Sequence, residues 1–97
     1  MATYIVLGQF TEQGIKNIKK TTERAKAIKE VAKKSGVTGK EIYWTLGHHD
    51  VVTIVEAPDD ESATAFCLSA AGQGNVRTQT LRAFAAAEMD RILAKTS

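Results

Sequence analysis

Apolar positions recur along this chain with two different periods, and the switches between them outline the elements. Thr3 to Phe10 (TYIVLGQF) is a run of β-branched, aliphatic and aromatic residues. It predicts a strand buried on both faces, interrupted at Gly8 as at a bulge. Thr11 then offers an N-cap hydroxyl and Glu12 suits a first helical turn. Ile15, Ile18, Thr22, Ala25, Ile28, Val31 and Ala32 follow at steps of three and four with lysines between them. That is an amphipathic helix with one buried stripe. A straight helix over residues 12–35 would span about 36 Å, whereas the strand before it spans only about 27 Å. Thr21 and Thr22, followed by Glu23, form a second set of cap residues, so a break is expected near Thr21. Gly36 suits the C-terminal cap, since it accepts left-handed dihedrals without a Cβ clash.

The second half repeats the pattern. Lys40 to Gly47 (KEIYWTLG) alternates, with Ile42, Trp44 and Leu46 on one side and Tyr43 and Thr45 on the other. After the short polar GHHD comes VVTIVEA, a second strongly apolar strand, and the pair reads as a hairpin. Pro58 ends that strand and Asp59 is a ready N-cap. Ala63, Phe66, Cys67, Ala70 and Ala71 mark one face of a second helix, which GQGN stops. Val76 to Phe84 alternates as a fourth strand, and Ala85 to Lys95 closes the chain as a short helix with Met89, Ile92 and Leu93 on one side.

The order β-α-β-β-α-β plus a terminal helix predicts an α+β fold of the ferredoxin-like kind, with helices over one face of a four-stranded antiparallel sheet. The length of 97 residues fits a single domain, 1–97. Several strands are apolar on both faces. Exposing the uncovered face would leave an apolar patch that monomers seldom carry. The expected solution is a homo-oligomer, a dimer or a larger closed assembly, in which two sheets face each other as a dimeric α+β barrel.

Charge adds an asymmetry to this picture. Glu12 to Lys40 holds nine Lys or Arg against three Asp or Glu, a local +6, and leaves −4 for the rest of a chain whose total is +2. No aromatics interleave with those charges to stack on bases, and VVTIVEA lacks the aromatics of RNA-binding ferredoxin-like domains. No nucleic-acid partner is expected. No apolar run reaches the roughly 20 residues of a membrane span, and the N-terminus lacks the features of a secretory signal. The only cysteine, Cys67, lies on a helix stripe and reads as an inert core residue. A cytoplasmic location fits these features.

The segments LGQFTEQGIKNIKKTTERAKA, TLGHHDVVTIVEAPDD and GNVRTQTLRAF together resemble the GYD family of small α+β proteins, over nearly the whole chain. The family is named for a Gly-Tyr-Asp triplet ahead of a strand ending in Glu-Ala-Pro-Asp. The ending is intact here as Glu56, Ala57, Pro58 and Asp59, whereas two histidines separate Gly47 from Asp50 and histidine stands at the tyrosine position. The resemblance implies the dimeric α+β barrel architecture and no particular reaction.

Candidate chemistry is sparse. His48, His49 and Asp50 have the ligand types for a transition metal, but neighbours on an extended chain point apart and no cysteine or third histidine completes a set. A hairpin turn is the favoured reading, with Asp50 bonding its own backbone and no metal. Glu56 lies either at an exposed strand end or partly buried; if buried, it is expected to pair with Arg77 or Arg82, as a structural pair rather than a catalytic group. The fourth strand is polar for its place: either it is a charged edge, or its side chains enter the barrel and bind an anionic or carbonyl-bearing small molecule. In the second case the ligand-binding residues are Tyr43, His49, Arg77 and Thr78. No triad spacing, phosphate loop or nucleotide fingerprint occurs, GQGN being too short and following a helix, so no cofactor is expected. The leading expectation is small-molecule binding in the barrel interior, leaning away from an enzyme. The alternatives are a structural or regulatory interaction protein and, by analogy of fold alone, a cofactor-independent monooxygenase or isomerase.

Overall fold

In a computed structural model that describes residues 1–97, the chain runs β1 (Ala2–Phe10), α1 (Glu12–Lys16), a 3₁₀ turn (Ile18–Lys20), α2 (Thr21–Lys34), β2 (Thr38–Trp44), β3 (Val51–Ala57), α3 (Asp60–Ala71), β4 (Val76–Ala83) and α4 (Ala86–Leu93). All strand pairs are antiparallel and the sheet order is β2-β3-β1-β4. This is the expected ferredoxin-like arrangement, with β1 and β3 central and β2 and β4 at the edges.

The helix break falls where the length mismatch requires it. α1 ends at Lys16, a 3₁₀ turn re-aims the chain, and α2 begins at Thr21. Thr11 caps α1, accepting from Gly14 N at 3.1 Å. Thr21, however, is not a cap; its hydroxyl accepts a hydrogen bond from Trp44 Nε1 at 3.0 Å across to β2. Gly36 adopts φ +74° after α2, as a C-terminal cap glycine should. Asp59 caps α3, accepting from Ser62 N at 2.8 Å.

β1 is buried on one face only. Tyr4, Val6 and Gly8 point into the helix layer and are buried, while Ile5 and Leu7 point the other way and are half-exposed. Strong apolar character on both faces therefore does not mean two covered faces within one chain. Gly8 is no bulge: it pairs regularly with Val51 and Thr78. It is glycine because a Cβ would lie 2.6 Å from Val51 Cγ1 and 2.9 Å from Val76 Cγ2.

The bulge lies instead in β2, between Gly39 and Glu41. The strand spans Thr38–Trp44, earlier than the Lys40–Gly47 expected, its last pair being Trp44 with Val51, and Leu46 lies outside the sheet with its side chain fully exposed. The connection to β3 is consequently the longer Thr45–Asp50 rather than GHHD alone.

The core is Tyr4, Val6, Val55 and Ala57 from the sheet, Ala32 and Val37 from the end of α2, and Ala63, Phe66, Cys67 and Ala70 from α3. It is concentrated toward one end of the sheet. α4 has no buried residue. The radius of gyration is 14.5 Å and the extents are 50 × 30 × 17 Å, against about 12.5 Å for a compact chain of this length. The molecule is thus one sheet and one helix layer deep, with an apolar sheet face left open.

Candidate functional site

The hairpin connection is fastened to β1 by its backbone and by Asp50. Thr45 N donates to Asp50 O at 2.8 Å, and Asp50 N donates to Gly8 O at 2.8 Å. The Asp50 carboxylate accepts from Phe10 N at 2.9 Å. It therefore satisfies the end of the neighbouring strand rather than its own backbone. Thr45 Oγ1 donates to His49 O, and Gln9 Nε2 donates to His48 O at 2.8 Å. Gly47 supplies φ +103°, a conformation side chains rarely adopt. The two imidazoles meet edge to face at 5.0 Å. The sequence His48-His49-Asp50 builds a turn, with its carboxylate already engaged.

The four residues expected to bind a ligand are distributed over the sheet. Thr78 pairs with Gly8 and shares its helix-covered face, whereas Arg77 pairs with Gln9 and lies on the open face. Tyr43 is also on the open face, but on β2, with β3 and β1 between it and β4. Three strand spacings separate those edges, about 14 Å. The Tyr43 hydroxyl lies 3.4 Å from Glu41 Oε2 on its own strand. His49 belongs to the turn. Within one protomer these groups do not converge.

Glu56 pairs with Lys40 at 3.2 Å, not with an arginine of β4. The sheet order explains the difference, because β2 lies beside β3 while β4 lies beyond β1. Arg82 instead pairs with Glu88 of α4 at 3.0 Å. Its guanidinium sits 4.6 Å from the Phe84 ring centroid and 5.7 Å from that of Tyr4. Glu88 also accepts from Ala85 N at 3.1 Å. That backbone bond, followed by the Arg82 bond, holds its carboxyl below the usual range. Asp59 is likewise held low by the bonds from Ser62. The buried Tyr4 donates to Asp60, and this bond raises its phenol above the ordinary value of 10.0.

A cleft opens on the helix side, bordering the core at Val6, Phe66, Cys67 and Ala70. It is open to solvent and lies between α2, α3 and residues of all four strands. Phe10, Ile28, Ile42, Trp44, Phe66 and Val76 make it apolar, and small residues such as Ala25 and Ala70 leave the room. Arg24 stands among the lining residues and donates to Asn17 O at 2.5 Å and Gly14 O at 3.4 Å. It forms no ion pair. The sequence signal for this cleft was an arginine set among lysines on a helix whose apolar stripe includes alanine.

Two exterior surfaces complete the inventory. The open sheet face carries Ile5, Leu7, Val52, Ile54 and Leu81, all half-buried or exposed. The outer side of α2 and the turn before it carry Lys19, Lys20, Lys26, Lys29 and Lys34, exposed and without ion pairs. No helix is long and apolar enough to cross a membrane.

Comparison with known proteins bears on these surfaces. A sequence model described as the GYD domain matches residues 4–93. A Thermus thermophilus protein, named a glutamine synthetase and cystathionine beta-lyase binding protein, is 36% identical over 90 residues, covering 92% of this chain and 95% of that protein. A crystal structure of a protein from Thermus thermophilus resembles the fold with a TM-score of 0.57 and 26% identity, over 89% of this chain and 96% of the other.

Proposed function

The chain belongs to the GYD domain family, and from that premise we propose that it works as an oligomeric binding protein for another protein. The observation that carries this reading is the open sheet face. Ile5, Leu7, Val52, Ile54 and Leu81 form a contiguous apolar surface that nothing in the chain covers. A second copy placed face to face buries it, and self-complementary packing of that kind closes at two subunits. The helix side then remains outward, with its unpaired lysines available to an acidic partner surface. The relative that is 36% identical is named as binding glutamine synthetase and cystathionine beta-lyase, and an enzyme partner suits this chain. The buried free thiol of Cys67 fits a reducing, cytoplasmic setting.

Ligand binding at Tyr43, His49, Arg77 and Thr78 is the second reading, and one observation favours a restricted form of it. Tyr43 and Arg77 lie on the same face at opposite edges, so only two facing copies could present both to one small anion.

Sedimentation tests the assembly. The wild-type chain is expected at twice the chain mass or more at micromolar concentration, and Ile54→Asp at once the chain mass, because the interface would have to bury an unpaired carboxylate. Wild-type protein sedimenting as a single chain would reject the face-to-face reading. Purified glutamine synthetase and cystathionine beta-lyase, each immobilised, test the partner class. Retention of the wild type that weakens with added salt and with Lys26→Glu plus Lys29→Glu supports it; no retention of the wild type on either enzyme removes it.

A further inference from the structure

We propose that the cleft beneath α2 is a binding site for a small amphipathic carboxylic acid, with its apolar body inside and its carboxylate on Arg24. Small side chains on the facing helices, Ala25 of α2 and Ala70 of α3, leave the space. Between α2, α3 and the sheet lies a concavity open to solvent, and core residues Val6, Phe66 and Ala70 form part of its lining. Its walls come from both layers: Phe10, Ile42, Trp44 and Val76 from the sheet, Ile28 and Phe66 from the helices. Such walls accept a hydrocarbon body and offer little to a sugar or a nucleotide.

The head group follows from Arg24. It is the lining residue with a full charge, and its bonds go to two neutral carbonyls, Asn17 O and Gly14 O. A guanidinium has five N–H donors in a planar fork that matches a carboxylate. Two carbonyl contacts fix its position against the end of α1 and leave donors and charge uncompensated. The lysines nearby are exposed on the outer surface, so Arg24 is the cation placed to meet an anion whose body lies in the cleft. Trp44 also lines the cleft, tied to the start of α2 by its bond to Thr21 at 3.0 Å. The site is separate from the open sheet face, so it stands or falls independently of the oligomer and of any protein partner.

Trp44 is the only tryptophan, so its fluorescence reports directly on the cleft. Octanoate is the probe. A saturable change in Trp44 emission is expected, with a dissociation constant of about 1 mM or lower. Each methylene removed, from octanoate through heptanoate to hexanoate, is expected to weaken binding about fourfold. Octan-1-ol should bind more weakly than octanoate. Arg24→Gln should weaken octanoate about tenfold or more while leaving octan-1-ol unchanged. Ala25→Phe should fill the cleft and abolish both, with far-UV circular dichroism checking that it folds; if it does not fold, the Arg24→Gln pair and the chain-length series decide. No saturable change with octanoate overturns the proposal. Equal binding of octanoate by wild type and Arg24→Gln also overturns it, since the contact would then be unspecific and apolar.

Discussion

The two faces of the sheet are built from nearly the same side chains and have opposite fates. On β1, Tyr4 and Val6 are buried beneath the helices, while Ile5 and Leu7, their immediate neighbours, remain half-exposed. On β3, Val55 and Ala57 lie in the core while Val52 and Ile54 do not. Hydrophobicity along a strand thus reports demand for cover and not its source. One face is satisfied by helices of the same chain, and the other awaits a surface from outside it.

The sharpest way to break this comparison is to truncate one residue on each face. Phe66→Ala, on the covered side, is expected to cost about 3–5 kcal/mol in urea unfolding. Ile54→Ala, measured in dilution where the chain is single, should cost only about 1 kcal/mol. Equal losses would mean that the open face is already packed within one chain.

The covered side should also resist added atoms. A Cβ at Gly14 would lie 2.0 Å from Asn75 O, a backbone atom of the turn before β4. Gly14→Ala should therefore cost about 1–3 kcal/mol and loosen α1 against that turn. An unchanged urea midpoint would show that α1 is only loosely docked.

At the hairpin end, Asp50→Ala leaves Phe10 N without its acceptor and should cost about 1 kcal/mol. Acid should act on the opposite end of the sheet. Asp59 and Glu88 have carboxyls held below their ordinary values of 3.8 and 4.5. Their ionised forms are favoured by folding, so their contribution is present above those values and is lost as pH falls through the lower folded ones. Asp59→Ala should shallow the decline of the urea midpoint below about pH 4; a parallel decline in the variant would remove Asp59 from that account. Tyr4 has the opposite sign: its raised phenol favours the neutral form, and its contribution declines as pH rises beyond 10.0. The smallest effect expected is that of His49→Ala, within about 0.5 kcal/mol of wild type, with zinc leaving the melting temperature of both proteins unchanged. A zinc-dependent rise in wild type alone would restore a metal role to the turn.

Much of the fold was legible because it rests on periodicity and length. The break at Thr21 followed from a helix too long for its strand, and the hairpin and the Asp59 cap followed from residue type. Local pairing was less legible. The bulge at Gly39–Glu41 has no composition signal beyond one glycine, and the end of β2 at Trp44, which leaves Leu46 outside the sheet, is set by where β3 begins. The partner of Glu56 depends on strand order, which periodicity does not contain. The grouping of Arg77 with Thr78 conflicted with alternation that was itself visible, since adjacent strand residues face opposite ways. The cleft was hidden for another reason: it depends on how α2 and α3 sit over the sheet, a property of three-dimensional spacing carried only faintly by Ala25 and Arg24.

The β2 bulge also bears on growth. Sheets propagate into fibrils by adding strands at their edges, and an irregular, charged edge is a poor template. β2 shifts register between Gly39 and Glu41 and carries Lys40 at that edge, and β4 carries Arg77 and Arg82 at the other. Polymerisation in the plane of the sheet is thereby obstructed at both ends. Contacts across the open face run in a different direction and can terminate after one partner. A chain with so much uncovered β-structure is then kept in finite particles by one misaligned residue pair at one edge and by charged side chains at both.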